Sequence, residues 1–231
     1  MRFIAYLLFF IATSATTAES GYRLDRSPHE PTDLVSLQAG ARTYVNYCLG
    51  CHGAQYVRYN SLTDLGLTED QIRDNLVFTG DKVGDMMRTP MRPQDAKKIF
   101  GVAPPDLSTI ARVRGPDWLY TYLRTFYRDP KTVTGWNNAV FTNVAMPHAL
   151  WQLQGERGYD REKREWRELS KGAMSPTEYD TLVRDLVNFL SYVSEPKAQL
   201  RKAVGVVVLF ALVVLLLLTW LLKREYWKDV K

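Results

Sequence analysis

Cys48, Cys51 and His52 form a C-x-x-C-H pentad, and those are the only two cysteines in the 231-residue chain. Residues at i and i+3 of a helical turn lie on one face. Two thiols so placed reach the same edge of a planar ring, and each can add across one vinyl group of a porphyrin to make a thioether. The histidine that follows then sits over the ring centre and can offer iron an imidazole nitrogen as proximal axial ligand. The pentad is the attachment signal of a c-type haem, so one covalent haem c is the expected cofactor.

Three other chemistries compete for the same residues. A structural disulfide suits an exported chain, but it leaves the adjacent His52 unexplained. A thioredoxin-like redox pair calls for a strand before the motif and a βαβ pattern around it, whereas the flanking pattern is helical. A zinc site calls for a second pair of ligands, and His29 and His148 are the only other histidines.

An iron held by one histidine needs a sixth ligand or an open site. A filled site suits electron transfer; an open one suits oxygen or peroxide chemistry. The candidates are the thioethers of Met86, Met87, Met91, Met146 and Met174 and the imidazoles of His29 and His148. Met146 is preferred, because it lies far downstream of the pentad and just before Pro147, in a rigid non-helical strap. Any of these methionines can equally be a core filler. His148 is the rival, and at two residues from Met146 both cannot bind. A thioether opposite the histidine would raise the potential. The two propionates need partners too, and Arg112 and Arg114, just after the Pro104–Ser108 turn, are candidates; surface charge is their plain alternative.

Helices must carry these groups. Over 33–47, Leu34, Leu37, Ala41, Tyr44, Val45 and Cys48 recur at helical spacing, with Asp33 as N-cap. Ser175, Pro176 and Glu178 make a capping box with proline at the first helical position. An apolar stripe from Tyr179 to Val193 follows, up to a break at Pro196. A further helix is expected over 117–127, with Trp118, Tyr122 and Phe126 on one side. The Gly- and Pro-rich stretch 79–105 reads as loop, neither helix nor strand. The charged stretch 154–171 reads as a solvated excursion.

The two ends of the chain set the compartment. Residues 1–18 read as a secretory signal: Arg2, an apolar run over 3–12, and a small, polar region ending near Ala18. Residues 203–222 hold twenty residues without a charge, about 30 Å of helix, the thickness of a bilayer core. Trp220, Tyr226 and Trp227 suit the interface, and Lys223, Arg224, Lys228 and Lys231 suit the cytoplasmic side. The expected layout is a signal (1–18), an exported haem domain (19–200), one transmembrane anchor (203–222) and a cytoplasmic tail (223–231). The net charge of +5 hints at nucleic acid. Yet residues 19–200 contain 23 basic and 23 acidic side chains, so the excess lies at the two ends and no nucleic-acid partner is expected.

With these residues in hand, the chain resembles the cytochrome c1 family, the haem c subunits of the quinol–cytochrome c oxidoreductase (bc1) complex, over nearly all of its length. The likeness rests on the order of signal, haem motif and single C-terminal anchor. It rests also on Tyr56-Val-Arg-Tyr59, Met91-Arg-Pro93, and Gly101-Val-Ala-Pro-Pro-Asp-Leu-Ser108 followed by Arg112 and Arg114. The resemblance implies an all-α, class I cytochrome c-like haem domain with long loops. It implies Met146, in its Met-Pro context, as sixth ligand to the iron opposite His52, Arg114 as propionate partner, and Pro105 among the haem-binding residues. It implies a relay in a bacterial inner membrane, haem domain on the periplasmic side: from a cytochrome b subunit through a Rieske iron–sulfur protein to this haem, and on to a cytochrome c. The 154–171 stretch departs from the family pattern. Competing readings are a free-standing membrane-anchored cytochrome c feeding a terminal oxidase or reductase, a haem peroxidase with an open iron, and a haem-free disulfide oxidoreductase.

Overall fold

The computed structural model describes residues 21–229; the signal segment expected over 1–18 lies outside them. In chain order the elements are α1 (Leu34–Tyr47), β1 (Ala54–Arg58), a 3-10 helix (Tyr59–Leu65), α2 (Glu69–Asn75), β2 (Met86–Met87), α3 (Pro93–Phe100), α4 (Ile110–Arg114), α5 (Pro116–Arg124), β3 (Phe126–Arg128), β4 (Trp136–Asn138), α6 (Trp151–Gln154), β5 (Gly155–Asp160), β6 (Glu165–Lys171), α7 (Pro176–Ser194) and α8 (Ala198–Tyr226). The chain parts after Ser194 into two compact units.

In the first unit α1 packs along α7, and the sequence dictates both helices. Asp33 caps α1 by accepting from the Ser36 N–H at 3.1 Å. Ser175 and Glu178 close the capping box at the start of α7: Glu178 Oε2 accepts from the Ser175 N–H (2.8 Å), and Ser175 Oγ from the Glu178 N–H (3.4 Å). Where the helices cross, a Cβ on Gly40 would lie 2.0 Å from the Asp185 carbonyl oxygen and 2.6 Å from Phe189 Cβ. Only glycine permits that approach. A buried polar cluster fixes the register beside it. Ser36 Oγ donates to Asp185 Oδ1 (2.6 Å), and Asn188 Nδ2 donates to Ser36 Oγ (3.0 Å) and to the Glu30 carbonyl (2.7 Å). One apolar core runs through the unit, with Leu37, Tyr44, Tyr59, Leu62, Met87, Phe126, Tyr179, Leu186 and Phe189 almost wholly buried.

The all-α expectation needs correction. Helices make the framework, but three two-stranded antiparallel sheets accompany them: β1 with β2, β3 with β4, and β5 with β6. From Gly155 on, the 154–171 stretch is the β5–β6 hairpin. Its charge density hides an aromatic patch in which Tyr159 lies opposite Trp166 with rings 4.5 Å apart, and Tyr127 and Tyr22 add their edges. Such cross-strand aromatic pairs stabilise sheets. The loop expected over 79–105 likewise holds β2 and α3. Pro93, one of the residues read there as a breaker, starts α3 at the first-turn position where proline is favoured. The helix expected over 117–127 runs from Pro116 to Arg124 and gives way to β3.

The second unit contains α8, 29 residues long and apolar enough to cross a membrane. No face of it is polar over 203–222, unlike a helix lying on a soluble core.

Candidate haem site

The pentad emerges from the C-terminal end of α1. The Cys51 and His52 N–H groups both turn back onto the Cys48 carbonyl, at 3.0 and 2.8 Å. This tight turn sets the two sulfur-bearing residues close together while the ring of His52 leaves in its own direction. Both cysteines are free thiols. Burial pushes the Cys48 thiol up to about 12, with Cys51 adding to the effect, and burial raises Cys51 as well. A disulfide-exchange site shifts its attacking thiol the opposite way, so the surroundings do not suit a thioredoxin-like pair. Among the described residues no cluster of three or more His, Cys, Asp or Glu could hold a metal ion.

His52 Nδ1 lies 2.7 Å from the Pro105 carbonyl oxygen. A carbonyl can only accept, so the proton sits on Nδ1 and the lone pair on Nε2. Burial lowers the pKa of His52, opposed in part by the Pro105 bond and by Asp106. The result is a neutral, oriented imidazole with its other nitrogen available, the form a metal ligand needs.

The 105–108 strap owes its position to a set of cross-links. The Leu107 N–H donates to the Gly53 carbonyl (2.7 Å), Asp106 Oδ2 accepts from the Gln55 N–H (2.8 Å), and Ser108 Oγ accepts from the Tyr56 N–H (3.1 Å). Tyr44 of α1 donates to the His52 carbonyl at 2.8 Å. The Pro-Pro-Asp-Leu-Ser block therefore acts as the splint of the histidine turn.

Met146 stands half-buried in the strap after β4 and packs against the same core as Cys48, Leu107 and Trp118. Tyr122 Oη lies 3.4 Å from its Sδ. Two asparagines hold the strap's approach. Asn138 Oδ1 accepts from the Val140 and Phe141 N–H groups (2.9 and 3.1 Å), and Asn137 Oδ1 accepts from that of Asn143 (2.9 Å), itself at φ +57°. Arg114 places its guanidinium 4.9 Å from the ring centre of Trp118 and 5.6 Å from that of Phe141, so it shares an aromatic wall with the Met146 strap. Arg112 is exposed.

Two of the rival ligands have other employment. His148 is buried and stacked on Phe126 (4.9 Å, 2°), and its Nε2 is 2.8 Å from Gln154 Oε1. Burial drives its pKa down to about 3, so it is a neutral core ring. Met87 is fully buried in β2, opposite Ala54. The sequence gives no reading of Asn137 and Asn138, and it gives Tyr44 and Tyr122 only as members of apolar helix faces. The Asn137-Asn138 doublet was the one available signal, since buried asparagines commonly satisfy loop backbone.

Two thiols on one turn and an imidazole with Nε2 available suit a covalent haem c. The comparisons agree. The model of the Cytochrome C1 family matches residues 25–230. A protein from Allochromatium vinosum named cytochrome c1 is 43% identical, with 98% of each chain covered. A protein from Nitrosomonas europaea named ammonia monooxygenase gamma subunit is 48% identical over the whole of both chains. A cytochrome c1 from Rhodospirillum rubrum is 28% identical, covering 86% of this chain and 83% of that one. The chain belongs to the cytochrome c1 family. It is an electron-transfer haem subunit of the bc1 complex, carries one covalent haem c, and has a C-terminal apolar helix that fits a single-pass membrane anchor.

Proposed function

We propose that Cys48 and Cys51 hold the haem through two thioethers, that His52 Nε2 and Met146 Sδ ligate its iron, and that Arg114 pairs with a propionate. Pro105 acts through its carbonyl, by fixing the tautomer and the ring plane of His52. When bound, the haem supplies one-electron exchange. The polypeptide need do no acid–base chemistry: it positions the group and sets the potential. A thioether opposite the imidazole favours the reduced iron, which suits an acceptor of electrons from a quinol-oxidising site. The observation that carries this reading is the His52–Pro105 hydrogen bond, because it leaves Nε2 as a neutral donor beside two free thiols.

The proposed layout places residues 1–18 as an export signal, 19–200 as a haem domain on the periplasmic side of a bacterial inner membrane, 203–222 as the lipid-embedded anchor and 223–231 as a cytoplasmic tail. The proposed partners are a cytochrome b subunit, a Rieske iron–sulfur protein as electron donor and a cytochrome c as acceptor. The family match and the cytochrome c1 relatives support these assignments. The name of the Nitrosomonas relative suggests a second reading, a subunit of an ammonia-oxidising monooxygenase. Mild-detergent purification of the tagged full chain from its own membranes separates the two. The bc1 reading predicts co-purification of a b-type haem protein and an iron–sulfur protein. Recovery of a monooxygenase in their place would favour the second reading, and recovery of this chain alone the free-standing cytochrome.

A further inference from the structure

We propose that Tyr122 is a positioning residue for the electron-transfer centre: its hydroxyl donates a hydrogen bond to Met146 Sδ, orients the thioether and holds the haem potential up. The proposal rests on the reading of Met146 as sixth ligand. A thioether has no proton to give, so in the 3.4 Å contact the tyrosine must be the donor. The bond occupies one sulfur lone pair and leaves the other for a metal.

The donor is rigidly held. The Tyr122 ring is 8% exposed, stacks on Trp118 at 4.7 Å and 12°, and meets the edge of Phe126 at 5.0 Å. Its own carbonyl accepts from Asn138 Nδ2 at 2.8 Å. Asn138 also holds the Val140 and Phe141 N–H groups, so one side chain ties the donor's helix to the approach of the acceptor's strap. Arg114, Trp118, Tyr122 and Phe126 touch in succession, across the end of α4, α5 and the start of β3. This row of contacts carries the propionate candidate, an aromatic platform and the donor to sulfur. Burial raises the pKa of the Tyr122 hydroxyl, so it stays protonated.

The electrical consequence has a definite sign. The positive end of the O–H dipole points at the sulfur, hence toward a metal bound there. That disfavours the extra positive charge of the ferric state, and a desolvated site amplifies the effect. Removing the hydroxyl lowers the potential.

The test compares wild type, Tyr122→Phe and Met146→Leu in the purified full complex, reading the midpoint potential of the c-type band and the ferric methionine–iron charge-transfer band. Tyr122→Phe preserves ring volume; it should keep the charge-transfer band but displace it, and lower the midpoint. A ring-fluorinated tyrosine at position 122, a stronger donor, should move the midpoint the other way, and it serves as the readout if the phenylalanine variant fails to accumulate. Unchanged midpoint and band in Tyr122→Phe, with the band lost in Met146→Leu, would overturn the proposal and leave the ligand reading standing. A band that survives Met146→Leu would sink the ligand reading and this proposal with it.

Discussion

A single proton, on Nδ1 of His52, decides what that ring can do. The Pro105 carbonyl fixes it there, and the imidazole becomes a one-sided donor. Met146 is the proposed softer partner, and its removal gives the plainest prediction at this scale. Met146→Leu should keep the covalent haem, since the thioethers are untouched, but lose the low-spin His/Met spectrum. Its potential should drop by an appreciable part of the roughly 0.8 V range that axial ligation spans. Optical redox titration checks both; an unchanged spectrum would remove Met146 from the iron. Cys48, Cys51 and His52 were legible in the sequence because their chemistry depends on covalent spacing. Met146 was half legible: its proline context pointed to a strap, and position alone left several methionines open. Tyr122 was read only as a member of a helical apolar face. Its hydroxyl meets a residue 24 positions away, and nothing local encodes that meeting.

At the scale of elements, the crossing of α1 and α7 places the pentad, because α1 ends in it. Gly40 is the tightest point. Gly40→Ala would push a methyl group into the Asp185 carbonyl, a backbone atom that cannot swing away. Overpacking of this kind costs about 1–3 kcal/mol. In a domain of this size that lowers the melting midpoint by about 2–4 °C per kcal/mol, measurable by calorimetry of the haem-loaded protein; an unshifted midpoint would show the helices free to separate. Both helices were legible from their caps and stripes. The β5–β6 hairpin was not. Charged residues outnumber its aromatics, and the pairing of Tyr159 with Trp166 appears only once the strands meet. α3 escaped because Pro93 was read as a breaker, although proline at a first turn starts helices as readily as it stops them.

At the scale of the whole molecule, charge separates the chain into functional parts. The net positive charge lies at its ends, chiefly over 201–231, while the intervening 19–200 stretch balances to zero. The acidic residues of α2 are engaged in part. Glu69 and Asp70 occupy the first turn, where they complement the helix dipole, and Arg73 pairs with Asp70 at 2.8 Å and Asp74 at 2.9 Å. Exposed pairs like these contribute little stability, but they reduce the free negative charge on that face. The anchor was legible as twenty uncharged residues, since a bilayer demands composition rather than a particular partner. The central claim is that this haem c accepts electrons derived from quinol. The most direct test is the difference spectrum of the intact complex, purified in mild detergent, before and after addition of quinol. Reduction of the c-type band alongside a b-type band is the predicted result. A c-type band that stays oxidised under quinol, yet is reduced at once by dithionite, in a preparation whose b-type haem is reduced, would contradict the account.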